Sequence, residues 1–285
     1  MKKKIFFLVF AIGGVLLLAS FLQSVNHKDL SQTASLEEAT SRKNNKPVYS
    51  FYQDDDLDRL CNAKETIYGS SADTSDTDGD GYLDGEEVEN GYDPIVAGDA
   101  RLRQRSQLSL SIEYFLWVQE EKGIKDPEIS DNLIQEFIEK YPSKTEISYI
   151  NDEEIKNLSY DDKESIRTYL AEINRIGLPE GIIGYKDISQ GFNEDSLPLL
   201  EDLLGKIELA YLDFSYLQVP PATKEIQRGY LTIIREFSNI FSDLKFYQQN
   251  PVQIEINFQK AKKLIDLSEK TEQRKLELIN QYEIS

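Results

Sequence analysis

The sequence predicts a mainly α-helical protein in three structured parts: an apolar N-terminal helix, a small acidic loop module and an all-α bundle of about six helices. Three observations predict it. An uninterrupted apolar run follows a lysine cluster at the N-terminus. Acidic residues recur at alternate positions between residues 54 and 87. From about residue 100 onward, apolar residues recur at helical spacing with little sign of strands. The expected division is 1–22 (signal-anchor helix), 23–50 (flexible stalk), 51–99 (tandem loop module) and 100–285 (helical bundle).

The bulk numbers set limits. At 285 residues the chain holds one large or two small domains, since domains most often run to roughly 100–150 residues. A formal net charge of −19 argues against a nucleic-acid partner, which needs clustered Lys and Arg. It suits a protein that handles cations or stays soluble outside the cell. The one cysteine, Cys61, cannot form an internal disulfide. It reads as a small buried apolar residue, with an intermolecular bridge as the alternative.

Lys2, Lys3 and Lys4 precede the apolar run at 5–22, broken only by Gly13, Gly14 and Ser20. Eighteen helical residues span about 27 Å, enough for a bilayer core. The lysines hold the N-terminus in the cytoplasm, so the rest of the chain is expected outside the cell membrane as a single-pass protein. Signal peptidase needs small residues at −3 and −1, and Leu17, Leu18, Ala19 and Ser20 supply no such pair. An uncleaved anchor is therefore favoured; cleavage would make the protein secreted. The following stretch is polar, lacks periodicity and reads as a stalk. It carries the only histidine, His27.

The segment DTDGDGYLDGEE, 76–87, fits the twelve-residue EF-hand-like calcium loop. Carboxylates stand at positions 1, 3, 5 and 9, glycine at 6 and glutamate at 12. Ca²⁺ takes six to eight hard oxygens at about 2.3–2.6 Å. Asp76, Asp78 and Asp80 point inward from a tight coil, Gly81 permits the turn, and the Tyr82 carbonyl reaches the ion. Asp84 then ligates directly or through water, and Glu87 closes the sphere with both oxygens. The competing reading is a solvated acidic turn, because Asp-Gly pairs form turns readily.

Sliding this loop back by 22 residues aligns Asp54, Asp56, Asp58, Leu60, Asn62 and Glu65 with positions 1, 3, 5, 7, 9 and 12. Gly69 then aligns with Gly91. The departure is Arg59, where position 6 wants glycine. The first copy is expected to be degenerate: a second, weaker site or a loop that only packs.

The run DTSDTDGDGYLDGEEVENGYDP, 73–94, resembles the bacterial thrombospondin type-3-like calcium repeat. In that family, loops ending in Asp-Gly-Glu-Glu lead to Gly-x-Asp-Pro and the next loop. The resemblance covers 54–94 only, and the first copy poorly. It implies secreted or surface-anchored proteins in which calcium stiffens a short module beside a functional domain, and it implies no enzymatic activity.

Past residue 100, Leu108, Ile112, Phe115, Leu116 and Gln119 mark one helix. Asp126 with Pro127 is expected to open a second, carrying Leu133, Ile134, Phe137, Ile138 and Tyr141. Ser159 with Asp162 reads as the start of a run through Ile166, Tyr169, Leu170 and Ile173, stopped by Gly177 and Pro179. Three clearer stripes follow: Leu199 to Phe214, Ile226 to Tyr247 after Pro220 and Pro221, and Ile254 to Ile265 after Asn250 and Pro251. Short Pro-marked connections make these neighbours in a bundle. The aromatic stripes read as core, with a groove for a partner helix as the alternative. The Gly-rich stretch 180–193 reads as a plain loop, with a binding loop as the alternative.

No enzyme is expected. The helical region lacks His and Cys, which removes His-based triads, Cys–His dyads and His-ligated zinc there. Carboxylate-only chemistry remains, but charged helical residues are mostly solvated faces. The expected function is a membrane-anchored cell-envelope protein that binds Ca²⁺ structurally and presents a helical domain to a protein or cell-surface partner. The alternatives are a subunit of an envelope secretion or pilus machine and, third, a carboxylate-dependent envelope hydrolase.

Overall fold

The computed structural model describes residues 53–176 and 197–284. The apolar run at 5–22, the stalk and the loop at 180–193 lie outside the described residues. Among the described residues no helix is long and apolar enough to cross a membrane. The described chain is mainly helical: α1 (Asn62–Tyr68), α2 (Asp84–Glu89), α3 (Leu110–Lys122), α4 (Asp131–Lys140), α5 (Lys163–Ile176), α6 (Leu197–Ser215), α7 (Lys224–Asp243) and α8 (Pro251–Gln281). Strands are absent among these residues; two isolated bridges, Tyr92 with Arg101 and Asn157 with Val219, are the only β pairing.

The chain forms two compact units. One runs to Lys144 and takes in Phe246–Ile256; the other comprises Thr145–Lys245 and Asn257–Ser285. The sequence reading places the boundary near residue 100, but α3 and α4 belong with the acidic loops. The reason is packing. Leu60, Ile67, Tyr68 and Val88 of the loop region share one apolar cluster with α3, α4, Val252 and Ile256. Helix α3 is buried nearly all round, from Leu110 to Val118 apart from Glu113. Its rings meet neighbours on several sides: Phe115 lies 5.9 Å from Tyr68, and Trp117 lies 5.5 Å from Phe137.

Two helix starts differ from expectation. Asp126 does not cap α4; it receives the Lys64 ammonium instead. The Tyr114 hydroxyl donates to the Glu128 carbonyl at 3.0 Å, holding that stretch outside the helix, and Ser130 becomes the cap. Likewise Asp162, not Ser159, accepts the first free amide of α5, from Ser165 at 2.8 Å. At α8 the cap is shared. Asn250 accepts from the Ser111 amide at 2.9 Å, and the Ser111 hydroxyl accepts from the Val252 amide at 3.0 Å. A serine 139 positions away in sequence thus satisfies the start of α8.

In the second unit α6 and α7 pack on each other, and α5 packs on α6. Leu200, Leu203, Ile207 and Phe214 are buried on α6, as are Ile226, Ile233, Ile234 and Ile240 on α7. Their interior carries a polar network. Tyr169 donates to Gln227 at 2.9 Å, Gln227 donates to the Phe214 carbonyl at 2.6 Å, and Tyr230 donates to Glu272, beside Lys275.

Candidate metal centre

Each acidic loop is folded by its own first aspartate. In the loop 76–87, Asp76 accepts the Gly79 amide at 2.8 Å on one oxygen and the Gly81 amide at 2.9 Å on the other. In the loop 54–65, Asp54 does the same for Leu57 at 2.8 Å and Arg59 at 3.1 Å. The third and fifth positions continue the match. Asp78 accepts from Asp80 and Asp56 from Asp58; Asp80 accepts from Tyr82 and Asp58 from Leu60. At the ninth position Asp84 accepts the Thr77 amide, and Asn62 accepts the Asp55 amide. The two loops therefore carry one hydrogen-bond pattern, 22 positions apart.

The backbone obeys the same register at a steric cost. Gly79 and Gly81 have φ of 76° and 99°, while Leu57 and Arg59 take 64° and 79°. Left-handed conformations are easy for glycine and strained for a residue with Cβ. Arg59 does not aim its charge into its loop: the guanidinium lies 3.7 Å from Glu86, with both side chains exposed.

Three groups of carboxylates result, each with one oxygen per residue within 4.8 Å of the others: Asp76, Asp78 and Asp80; Asp54, Asp56 and Asp58; and Asp58, Glu65 and Asp84. Of the residues predicted for the loop 76–87, Asp76, Asp78 and Asp80 are brought together. Glu87 stands near enough to feel Asp78 and Asp80, which, after burial, raise its carboxyl to about 8. Asp84 stands between the two loops: it is fully buried, both oxygens accept from Thr77, it groups with Asp58 and Glu65 of the first loop, and its charge is also felt by Glu87. Tyr82 has an exposed ring, which leaves its carbonyl as the group of interest.

The residues fit a cation in one specific respect. Buried polar atoms normally find hydrogen-bond partners, yet Asp78 Oδ2 and Glu87 Oε2 are buried with none, as are Asp56 Oδ2 and both oxygens of Glu65. These five carboxyl oxygens fall at positions 3 and 12 of the two loops; Ser70 Oγ and Trp117 Nε1 are the other buried side-chain atoms without a hydrogen-bond partner among the described residues. Burial is the main cause that also lifts Glu65 to about 8 and Asp58 to about 6. A hard divalent cation satisfies and ionises such groups together.

Contacts that the sequence pattern leaves invisible hold the loops in place. Asp58 accepts the Gly85 amide at 2.9 Å, so the loops touch backbone to side chain. A Cβ on Gly85 would stand 2.4 Å from the Asp58 carbonyl oxygen, which is why glycine precedes the Glu pair. Asp80 accepts the Gly98 amide at 2.7 Å. Buried Asp93 is clamped by Arg105, which also donates to the Tyr68 carbonyl at 2.8 Å. Arg105 carries no helical or loop motif, and no local signal marks it.

An open cleft of about 380 Å³ lies beside α2 and α3. Its two carboxylates, Glu89 and Glu120, each pair with a base, Lys125 and Arg103. No family model matches the chain, and comparison with curated proteins and with solved structures found no match.

Proposed function

We propose that the chain is an exported, membrane-anchored cell-envelope protein that binds calcium structurally through the loop 76–87 and presents helical surface for binding or assembly. The observation that carries the calcium reading is the pair of buried, donorless oxygens on Asp78 and Glu87, in a loop already coiled by Asp76. The anchor reading rests on the lysine cluster and apolar run of residues 2–22. In this reading calcium is a folding ligand, because converging like charges oppose the apo loop and bound cation removes that opposition. No catalytic residue is assigned.

The test is the melting temperature of the full chain in calcium and in EGTA. Calcium is expected to raise it by several degrees, and Asp78→Ala is expected to abolish the rise. Identical melting curves in the two buffers contradict the reading.

A second reading, a subunit of an envelope secretion or pilus machine, draws on one surface feature. Leu209, Leu212 and Tyr216 are exposed at 64, 43 and 67 % along α6 and the turn that follows it, a run suited to a protein partner. Pull-down from solubilised membranes distinguishes the two: a stoichiometric protein complex, lost on Leu209→Ser, favours the machine subunit.

A further inference from the structure

We propose that the loop 54–65 is a second calcium site and that it recruits Asp84 from the following loop, so that the two sites fill as a linked pair. The proposal rests on the calcium reading of the loop 76–87 and extends it. By motif the first loop is the poorer copy, because Arg59 stands where glycine belongs. The geometry reverses that order. Glu65 is fully buried, and neither of its oxygens has a partner. One of them lies within 4.8 Å of an oxygen of Asp58 and one of Asp84, all three residues being buried. Asp58 belongs equally to the group with Asp54 and Asp56. Five carboxylates from two loops thus meet around a shared Asp58.

Buried carboxylates without a counter-ion are unfavourable, three of these five are buried, and no Lys or Arg side chain is bonded to any of the five among the described residues. A divalent ion with six to eight oxygen ligands fits the need. Both bases within this loop are drawn away from the cluster, Arg59 outward to Glu86 and Lys64 to Asp126.

The linkage follows from two atoms. Asp58 holds the Gly85 amide at 2.9 Å, at the start of the helix that presents Glu87. Asp84 occupies position 9 of the second loop while it faces Glu65 of the first. Ordering either loop around an ion therefore places a residue of the other.

Calorimetric titration of the full chain with Ca²⁺ alone tests this, alongside Glu65→Gln, Glu87→Gln and Asp84→Asn. The unaltered chain is expected to bind two ions. Glu65→Gln and Glu87→Gln should each retain one ion more weakly, and the retained ion shows that the module is folded. Asp84→Asn should weaken both sites about tenfold, a moderate coupling. One ion in the unaltered chain, untouched by Glu65→Gln and lost in Glu87→Gln, overturns the second site and leaves the first reading standing. Two ions with only one weakened by Asp84→Asn overturns the sharing. No binding at all removes both.

Discussion

Arg59 occupies a left-handed backbone position, φ 79°, that its counterpart Gly81 occupies at 99°. Such a conformation costs about 1–2 kcal/mol for a residue with Cβ, whereas glycine adds back about 0.5–1 kcal/mol of unfolded-state entropy. The exposed pair with Glu86 contributes little. Arg59→Gly is therefore expected to stabilise the calcium-saturated protein by up to about 1 kcal/mol, a rise of about 2–4 °C in Tm by calorimetry.

The orphaned glutamates give a second test at the same scale. Burial, reinforced by neighbouring aspartates, raises Glu65 and Glu87 to about 8. Unfolded, both titrate near 4.3. Between these values the folded calcium-free chain binds more protons than the unfolded one, so its stability falls as pH rises across that window and levels off above it. Melting temperatures in calcium-free buffers between about pH 5 and 8 should show the decline. Saturating calcium should remove it, since an ion keeps the carboxylates ionised at lower pH.

Among the elements, the close crossing of α7 and α8 in the second unit is the most exacting. A Cβ on Gly229 would lie 2.2 Å from the Thr271 hydroxyl oxygen and 2.9 Å from its methyl carbon. Glycine to alanine inside an exposed helix stabilises by about 1 kcal/mol. Here overpacking, about 1–3 kcal/mol, outweighs that gain. Gly229→Ala is expected to lower the urea midpoint, and adding Thr271→Ala should restore it, a coupling that a double-mutant cycle measures. A Gly229→Ala chain as stable as the parent contradicts the crossing. Helix stripes such as Leu200, Leu203 and Ile207 were legible because 3.6-residue spacing follows from local geometry alone. The caps were less so. Ser130 displaces Asp126 because Tyr114, a residue of another helix, holds the intervening backbone, and no local pattern carries that information.

For the whole molecule, the same limit decides the domain boundary. Helix α3 shows every sign of belonging to a bundle, yet its rings pack on Tyr68 and Phe137, and the acidic loops sit in its unit. Which stripes meet is a long-range fact, set by pairs such as Ser111 with Asn250. In the candidate site, the alternation of Asp76, Asp78 and Asp80 was readable because the ion's geometry dictates it. The recruitment of Asp84 by the first loop was not, since it depends on how one loop packs on another through Gly85.

The central claim is that calcium is held by the loop 76–87. A calcium titration of ¹⁵N-labelled protein, followed by amide correlation spectra, tests it at named atoms. The Gly81 amide, bonded to Asp76 at 2.9 Å, should shift saturably together with Asp78 and Glu87, while amides in α6 and α7 stay in place. Unmoved Gly81, Asp78 and Glu87 resonances at saturating calcium, in a folded protein, would contradict the claim.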